Sequence, residues 1–207
     1  MINLSAEIIA NGVTYEIRNL SSIEFSGQDR SNASQPSWGI ISNSGSLEMY
    51  DLDGIIQNLN KNSMLLNSRI NIYLNAPKRR EQIGGFYICD YITDRQSLKT
   101  TIKFKDTLES WTKKQLPFYI YPYTEDSWKY SPVNAVTILG YLRDKANITL
   151  EYANESTQNH LANLRIKCPM LSAGSLWNQA NKVCELSSCY IFCDNKGLPT
   201  IYYNGGA

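Results

Sequence analysis

The chain has 207 residues, a formal net charge of +1, and 19% charged against 43% hydrophobic residues. This suits one large domain or two small ones with a buried core. Near-neutral charge argues against a dedicated nucleic-acid binder, which needs a basic excess to neutralise phosphates. The longest basic cluster, Lys78-Arg79-Arg80, runs straight into Glu81 and reads as a solvated loop. Asn, Ser and Tyr take the place of charge, a surface suited to protein–protein contact. Met1-Ile2-Asn3-Leu4 lacks the basic start and apolar run of a signal peptide, and no stretch approaches the roughly 20 apolar residues of a membrane span. The chain is therefore expected to start in the cytosol. There its cysteines, Cys89, Cys168, Cys184, Cys189 and Cys193, stay reduced and mostly buried.

In chain order, the first half reads as strands. Val13, Tyr15 and Ile17 alternate with Thr14 and Glu16, and Leu47 and Met49 with Ser46, Glu48 and Tyr50. Ile70, Ile72 and Leu74 alternate with Arg69, Asn71, Tyr73 and Asn75; Leu98, Thr100, Ile102 and Phe104 alternate with lysines and threonine. Period-2 alternation marks strands with one buried and one wet face. Phe86 to Ile92 is apolar or aromatic on both sides and is expected to be covered on both faces, with Gly84-Gly85 just before it marking a bulge or a sharp bend. Asn11-Gly12, Ser42-Asn43-Ser44-Gly45 and Thr93-Asp94-Arg95-Gln96 read as turns, the first a strong hairpin signal. Asp51 or Asp53 caps a short helix through Asn60. Asp106 caps another through Gln115, with Leu108 and Trp111 on one face.

Beyond a connection bearing Pro117 and Pro122, Ser131-Pro132 reads as the start of a helix carrying Val133, Val136, Leu139 and Leu142, stopped at Asn147. A last helix begins near Ser172 or Ser175 and stacks Leu176, Ala180, Val183 and Cys184. Cys189–Cys193 is a buried strand, Asp194-Asn195-Lys196-Gly197 a turn, and Leu198–Tyr203 the returning strand. The expected fold is mainly β with α+β. An N-terminal antiparallel barrel or sandwich with short helices spans 1–116, and a small α+β domain spans 117–207, ending at Asn204-Gly205-Gly206-Ala207 as a piece of a longer protein.

Chemistry is sparse. The one histidine, His160, lies in the polar run from Asn154 and reads as a loop residue; a Ser-His-acid triad would have to be built on it, and no G-x-S-x-G elbow is present. Cys189, Ile191 and Cys193 share one face of a strand about 13 Å long, too far apart for shared zinc ligation. Carboxylate pairs drawn from Glu48, Asp51, Asp53, Asp90, Asp94 and Asp106 would suit a glycosidase. Most of these sit at caps and turns. Asp90, in an apolar strand, pairs with a Lys or Arg or faces solvent. Phe118, Tyr119, Tyr121, Tyr123, Trp128 and Tyr130, with Trp111, offer a sugar-stacking alternative or a covered interface. No catalytic, cofactor or metal residue is assigned and no cofactor is expected. The chain reads as a non-enzyme, with a hydrolase as the remaining alternative.

Four stretches, taken in order, resemble the tail-hub proteins of phages and related contractile injection machines. Ile40 to Asp51 resembles the strand entering the first barrel. Gly85-Phe86-Tyr87-Ile88 through Phe104-Lys105-Asp106-Thr107-Leu108 resembles a hairpin leading into an x-D-x-L turn. Asn134 to Leu142 resembles the helix that opens the second domain, and Leu171 to Leu198 the closing helix, strand, D-x-x-G turn and strand. The resemblance implies the N-terminal part of a longer structural virion protein with no catalytic residue. It implies a ring, commonly trimeric, joining the tail tube to distal tip or fibre proteins beside the tape measure, assembled in the host cytoplasm. A glycan- or receptor-binding tail module is the alternative.

Overall fold

The computed structural model describes residues 3–27, 39–116, 133–166 and 174–203. In chain order these form β1 (Asn3–Ala10), β2 (Val13–Ile17), β3 (Leu20–Gly27), β4 (Gly39–Ile40), β5 (Asn43–Tyr50), α1 (Ile55–Lys61), β6 (Arg69–Ala76), β7 (Arg79–Thr93) and β8 (Lys99–Lys105). After a 3-10 turn (Thr107–Thr112) come β9 (Gln115–Leu116), β10 (Val133–Asn134), α2 (Ala135–Ala146), β11 (Glu151–Tyr152), α3 (Glu155–Asn163) and β12 (Arg165–Ile166). The chain closes with β13 (Gly174–Ser175), α4 (Leu176–Ser187), β14 (Cys189–Cys193) and β15 (Pro199–Tyr203). It divides into two compact units: Met1–Gln28, Ser42–Thr107 and Cys193–Leu198 in the first, Asp29–Ile41, Leu108–Phe192 and Pro199–Ala207 in the second.

The first unit is a seven-stranded sheet in the order β2-β1-β6-β7-β8-β5-β3, antiparallel throughout. The fold is thus β-rich with short helices, as the alternating patterns imply. The sheet's outermost strands, β2 and β3, are halves of one run of chain, since only Arg18 and Asn19 separate them. In a flat sheet six strand spacings would part them by about 29 Å. Three Cα steps span at most about 11 Å. The sheet therefore curls back on itself, with residues 13–17 paired to β1 and residues 20–27 paired to β5. Among the described residues no ladder joins β2 to β3, so pairing does not close a full barrel, and no second sheet makes this unit a sandwich.

Alternation builds its core. Ala6, Ile8, Ile17, Leu47, Met49, Ile70, Ile72, Phe86, Ile88, Ile102 and Phe104 all turn inward, joined by Ile56 and Leu59 of α1 and by Leu65. Gly45 is a strand residue of β5 beside this core and not part of a turn. A Cβ there would lie 2.3 Å from the Glu24 carbonyl and 2.7 Å from the Phe104 ring. The missing side chain lets Phe25, Phe86 and Phe104 meet at centroid distances of 4.8–6.0 Å. The expected turn at 42–45 is corrected accordingly: β5 begins at Asn43. Asn11 (φ 48) and Gly12 (φ 78) make the expected tight hairpin, with the positive φ pair that two-residue loops require. Gly54 is the N-cap of α1, and the Asp51 carboxylate reaches the helix start from outside it, accepting from Ile56 N at 3.1 Å and Gln57 N at 3.0 Å.

Three further expectations for this unit are corrected. Tyr87, Cys89, Asp90 and Ile92 are exposed, so this stretch of β7 is covered on one face only; a bulge between Ile88 and Asp90 breaks its register. The bulge expected at Gly84-Gly85 is present, between the Gly84 and Gln82 pairings. Leu98 is not a strand residue: it sits in the turn at φ 56 and 40% exposed. Val13 is also exposed, although Ile17 at the other end of β2 is buried.

The second unit packs α2 against α3 and α4, with a four-stranded sheet ordered β11-β15-β14-β4 and two-residue ladders β10–β12 and β9–β13. Ser175 is the N-cap of α4, accepting from Asn178 N. Leu176, Ala180, Val183 and Cys184 are buried on it, as expected. Leu108 and Trp111 are fully buried. α2 starts at Ala135, because Val133 and Asn134 pair as strand, so the expected start at Ser131-Pro132 is too early; those two residues lie outside the described ones. Asn147 ends α2 at φ 49 in the left-handed region.

Candidate functional site

Most of the described residues weighed for chemistry have structural partners. His160 lies on helix α3 and not in a loop. The N-cap Asn154 accepts from Thr157 N and starts that helix. The imidazole stacks on Tyr203 at 3.5 Å, and its Nε2 lies 2.8 Å from the Ser187 carbonyl. Cys184 and Cys189 are fully buried, and desolvation drives both thiols up, well above the usual thiol value for Cys184. Cys193 is half-buried, Cys89 is exposed, and Cys168 lies outside the described residues. Among the described residues no three His, Cys, Asp or Glu side chains gather as a metal site.

Most of the carboxylates weighed for chemistry are held by donors. Glu48 pairs with Lys99 at 2.8 Å, and that hydrogen bond, with a further one from Ser22, lowers its pKa. Asp90 faces solvent and pairs with Lys103 at 3.1 Å; this hydrogen bond, and then the one from Tyr91 N, lowers its pKa. Asp94 is lowered by Ser97 and the Gln96 amide inside its turn. Asp106, 2% exposed, accepts from Ser42 Oγ at 2.8 Å and Asn43 N at 2.6 Å, fastening the start of β5. Asp53 is exposed beside Asp51. A general acid needs a raised pKa; Glu48, Asp90 and Asp94 move the other way.

The most developed polar feature lies on the outward side of β1, β6 and β7. The Tyr73 hydroxyl donates to Glu7 at 3.0 Å, and the Arg80 guanidinium both binds Glu7 and lies 3.9 Å over the Tyr73 ring. Asn71 Oδ1 accepts from Arg69 Nε at 2.9 Å and from Gln82 Nε2 at 3.2 Å; Asn75 donates to Ser5. Arg69 also donates to the Lys196 carbonyl. Burial, and then the Glu7 hydrogen bond, pushes the Tyr73 hydroxyl up. Arg79-Arg80 is therefore strand, with Arg80 clamped in a network, and the solvated-loop reading is corrected. The polar half of the β6 alternation is the signal that foretold this face. Its Tyr, Arg and Asn composition is that of protein contact surfaces.

Exposed apolar residues gather at one end of the same sheet. Tyr50 (43%), Leu52 (64%), Ile92 (60%) and Leu98 (40%) lie on or beside β5, β7 and β8. The aromatics proposed for sugar stacking do not make a described site: Trp111 is fully buried, and Phe118, Tyr119, Tyr121, Tyr123, Trp128 and Tyr130 lie outside the described residues.

No protein-family model matches the sequence, and no curated protein does. Solved structures do match. A tail protein from Neisseria meningitidis MC58 aligns at TM-score 0.55 and 7% identity, over 96% of this chain and 50% of that one. Prophage tail protein gp18 from Listeria monocytogenes EGD-e aligns at TM-score 0.57 and 7% identity, over 99% and 52%. A chain of the half-lidded Francisella PdpA-VgrG complex aligns at TM-score 0.50 and 16% identity, over 97% and 31%. At such identities the likeness is one of fold: the chain has the fold of solved phage tail proteins. It spans about half the length of the two tail proteins. No helix among the described residues is long and apolar enough to cross a membrane.

Proposed function

We infer that this chain is a structural component of a phage-type tail, acting as a hub or baseplate protein and not as an enzyme. The observation that carries this reading is near-complete fold coverage by two tail proteins despite 7% identity. The engaged carboxylates and the helix-bound His160 support it, since none is poised for chemistry. In this reading residues 1–116 supply the barrel-like ring domain and 117–207 the α+β domain of a longer hub protein. Three copies form the ring, which joins the tail tube to distal tip or fibre proteins beside the tape measure, within the virion. The Tyr73–Arg80–Glu7 face and the Tyr50–Leu52–Ile92–Leu98 end are its contact surfaces. The heterologous contacts of a closed ring use two different patches on each copy, and these two supply them. Electron micrographs and native mass of the purified chain test the reading. Ring-shaped particles of a fixed small copy number support it, and a monomer at every concentration contradicts it.

A further inference from the structure

Helix α4 ends on a cysteine pair. Ser188 stops the helix in the left-handed region at φ 54, and its N–H donates to the Cys184 and Glu185 carbonyls. Cys184 lies in the last turn before this stop, and Cys189 follows it directly as the first residue of β14. These are the two positions whose side chains pack on each other when a left-handed residue turns the chain back over a helix end. The end of α2 makes the same turn. There Asn147 has φ 49, and its N–H donates to the Arg143 and Asp144 carbonyls. The residues that match the cysteine pair are joined by a backbone hydrogen bond, Ile148 N to Arg143 O at 3.1 Å. A disulfide needs Cα atoms about 4.4–6.8 Å apart, which a chain turned back in this way provides.

Both cysteines are fully buried in the second unit, and Ser187 beside them is buried too. The Cys189 thiol donates to the Ser187 carbonyl at 3.5 Å. The Ser187 hydroxyl in turn donates to the Val183 carbonyl at 2.7 Å and the Cys184 carbonyl at 3.3 Å. The Cys189 sulfur is therefore held against the helix turn that carries Cys184. Burial pushes the Cys184 thiol up, and Cys189 beside it pushes the same way. A protonated, buried pair reacts slowly and stays reduced while the chain folds in a reducing compartment.

We propose that Cys184 and Cys189 form a dithiol that a peroxide converts into a disulfide, stapling the end of α4 to the start of β14. A peroxide is small and uncharged, and local opening of a helix end admits it. One sulfur attacks a peroxide oxygen and becomes a sulfenic acid, and the other peroxide oxygen leaves as water. The second sulfur then displaces the sulfenic hydroxyl, which leaves as water with the second thiol's proton, and the S–S bond forms. Two thiols are oxidised by two electrons, and the peroxide is reduced to water. In the tail reading above, the protein passes from a reducing cytoplasm to an oxidising exterior, so the staple closes after assembly. That timing rests on the tail reading; the bridge itself does not.

Oxidation of the folded chain tests it. Cys89→Ser, Cys168→Ser and Cys193→Ser are combined in the full chain, which leaves only the pair. The protein is treated with hydrogen peroxide, alkylated in denaturant, and its mass and peptide map are measured. The expected product has lost two hydrogens, has no thiol left to alkylate, and joins position 184 to position 189. It melts about 5 °C above the reduced protein, the gain from closing a short loop, and a reductant reverses the shift. Adding Cys184→Ser or Cys189→Ser leaves a lone cysteine that gains oxygen instead. The natural chain treated alike gives the same cross-linked peptide, so the result does not depend on the substitutions. Two alkylated thiols, or oxygen added to both cysteines, overturn the proposal. A bridge that lowers the melting temperature overturns the staple. Native mass of the same samples separates the two readings. A bridged monomer contradicts the ring alone, and an oligomer that forms no bridge contradicts the staple alone.

Discussion

Replacing Gly45 with alanine tests a close approach of backbone to backbone in the first unit. The added Cβ would meet two neighbours, the Phe104 ring at 2.7 Å and the Glu24 backbone carbonyl at 2.3 Å. A ring edge yields by a small rotation, whereas a carbonyl in the β3–β5 ladder yields only by parting the strands. Overpacking of this kind costs about 2 kcal/mol, or roughly 6 °C in melting temperature for a chain of this size. Gly140→Ala is the internal control. Nothing lies within 4 Å of its added Cβ in the middle of α2, so the same chemical change stabilises by about 0.7 kcal/mol. Thermal unfolding by circular dichroism reads both. Adding Phe104→Leu to Gly45→Ala relieves the ring contact but not the carbonyl, so no stability returns. Full stability of Gly45→Ala, or rescue by Phe104→Leu, would refute the reasoning.

Other consequences follow from the same contacts. A thiol reagent modifies Cys89 in the folded protein and reaches Cys184 and Cys189 only on unfolding, which mass mapping of the labelled peptides would show. Glu48, Asp90 and Asp94 have lowered folded-state values. Their contribution is complete above the ordinary carboxylate range and is lost as pH falls through the lowered values, so the urea midpoint declines below about pH 4 and declines less in Asp90→Asn. High salt flattens both curves, since these pairs are exposed. His160→Ala removes the Tyr203 stack and the Ser187 hydrogen bond and lowers stability by about 1–2 kcal/mol, measured by denaturant titration. The Asp106→Ala variant strands the Ser42 hydroxyl and the Asn43 amide and destabilises by about 3 kcal/mol in the same assay.

Much of the fold is legible in the sequence wherever one face of an element is buried. The β5, β6 and β8 alternations, the Ser175 cap with the α4 stripe, and the closing Cys189–Tyr203 hairpin all stand where their patterns place them. Misreadings arise where tertiary contacts override local chemistry. Ser42-Asn43-Ser44-Gly45 has turn composition, yet Gly45 is a strand residue because an aromatic cluster needs the space a side chain would fill. Helix α3 buries only Thr157 and Leu161, four residues apart, so it shows little periodicity; its one readable signal is the Asn154 cap. The Phe86–Ile92 run looks doubly covered because composition does not reveal that Tyr87 and Ile92 point outward. The outward polar face was half legible: β6 announced it, but its partners Glu7, Arg80 and Gln82 come from strands whose pairing only the fold defines. The docking of β4 beside β14 and α4 had no sequence signal, because Gly39 and Asn181 are 142 positions apart and meet only in three dimensions.

The central claim is that this chain is built to assemble and not to catalyse. Native mass spectrometry of the purified chain across a concentration series tests it most directly. The account predicts a discrete closed oligomer, three copies in the proposed ring, that falls apart when the outward faces are charged by Tyr73→Glu and Ile92→Asp. A species that stays monomeric at all concentrations, with or without those substitutions, would contradict it.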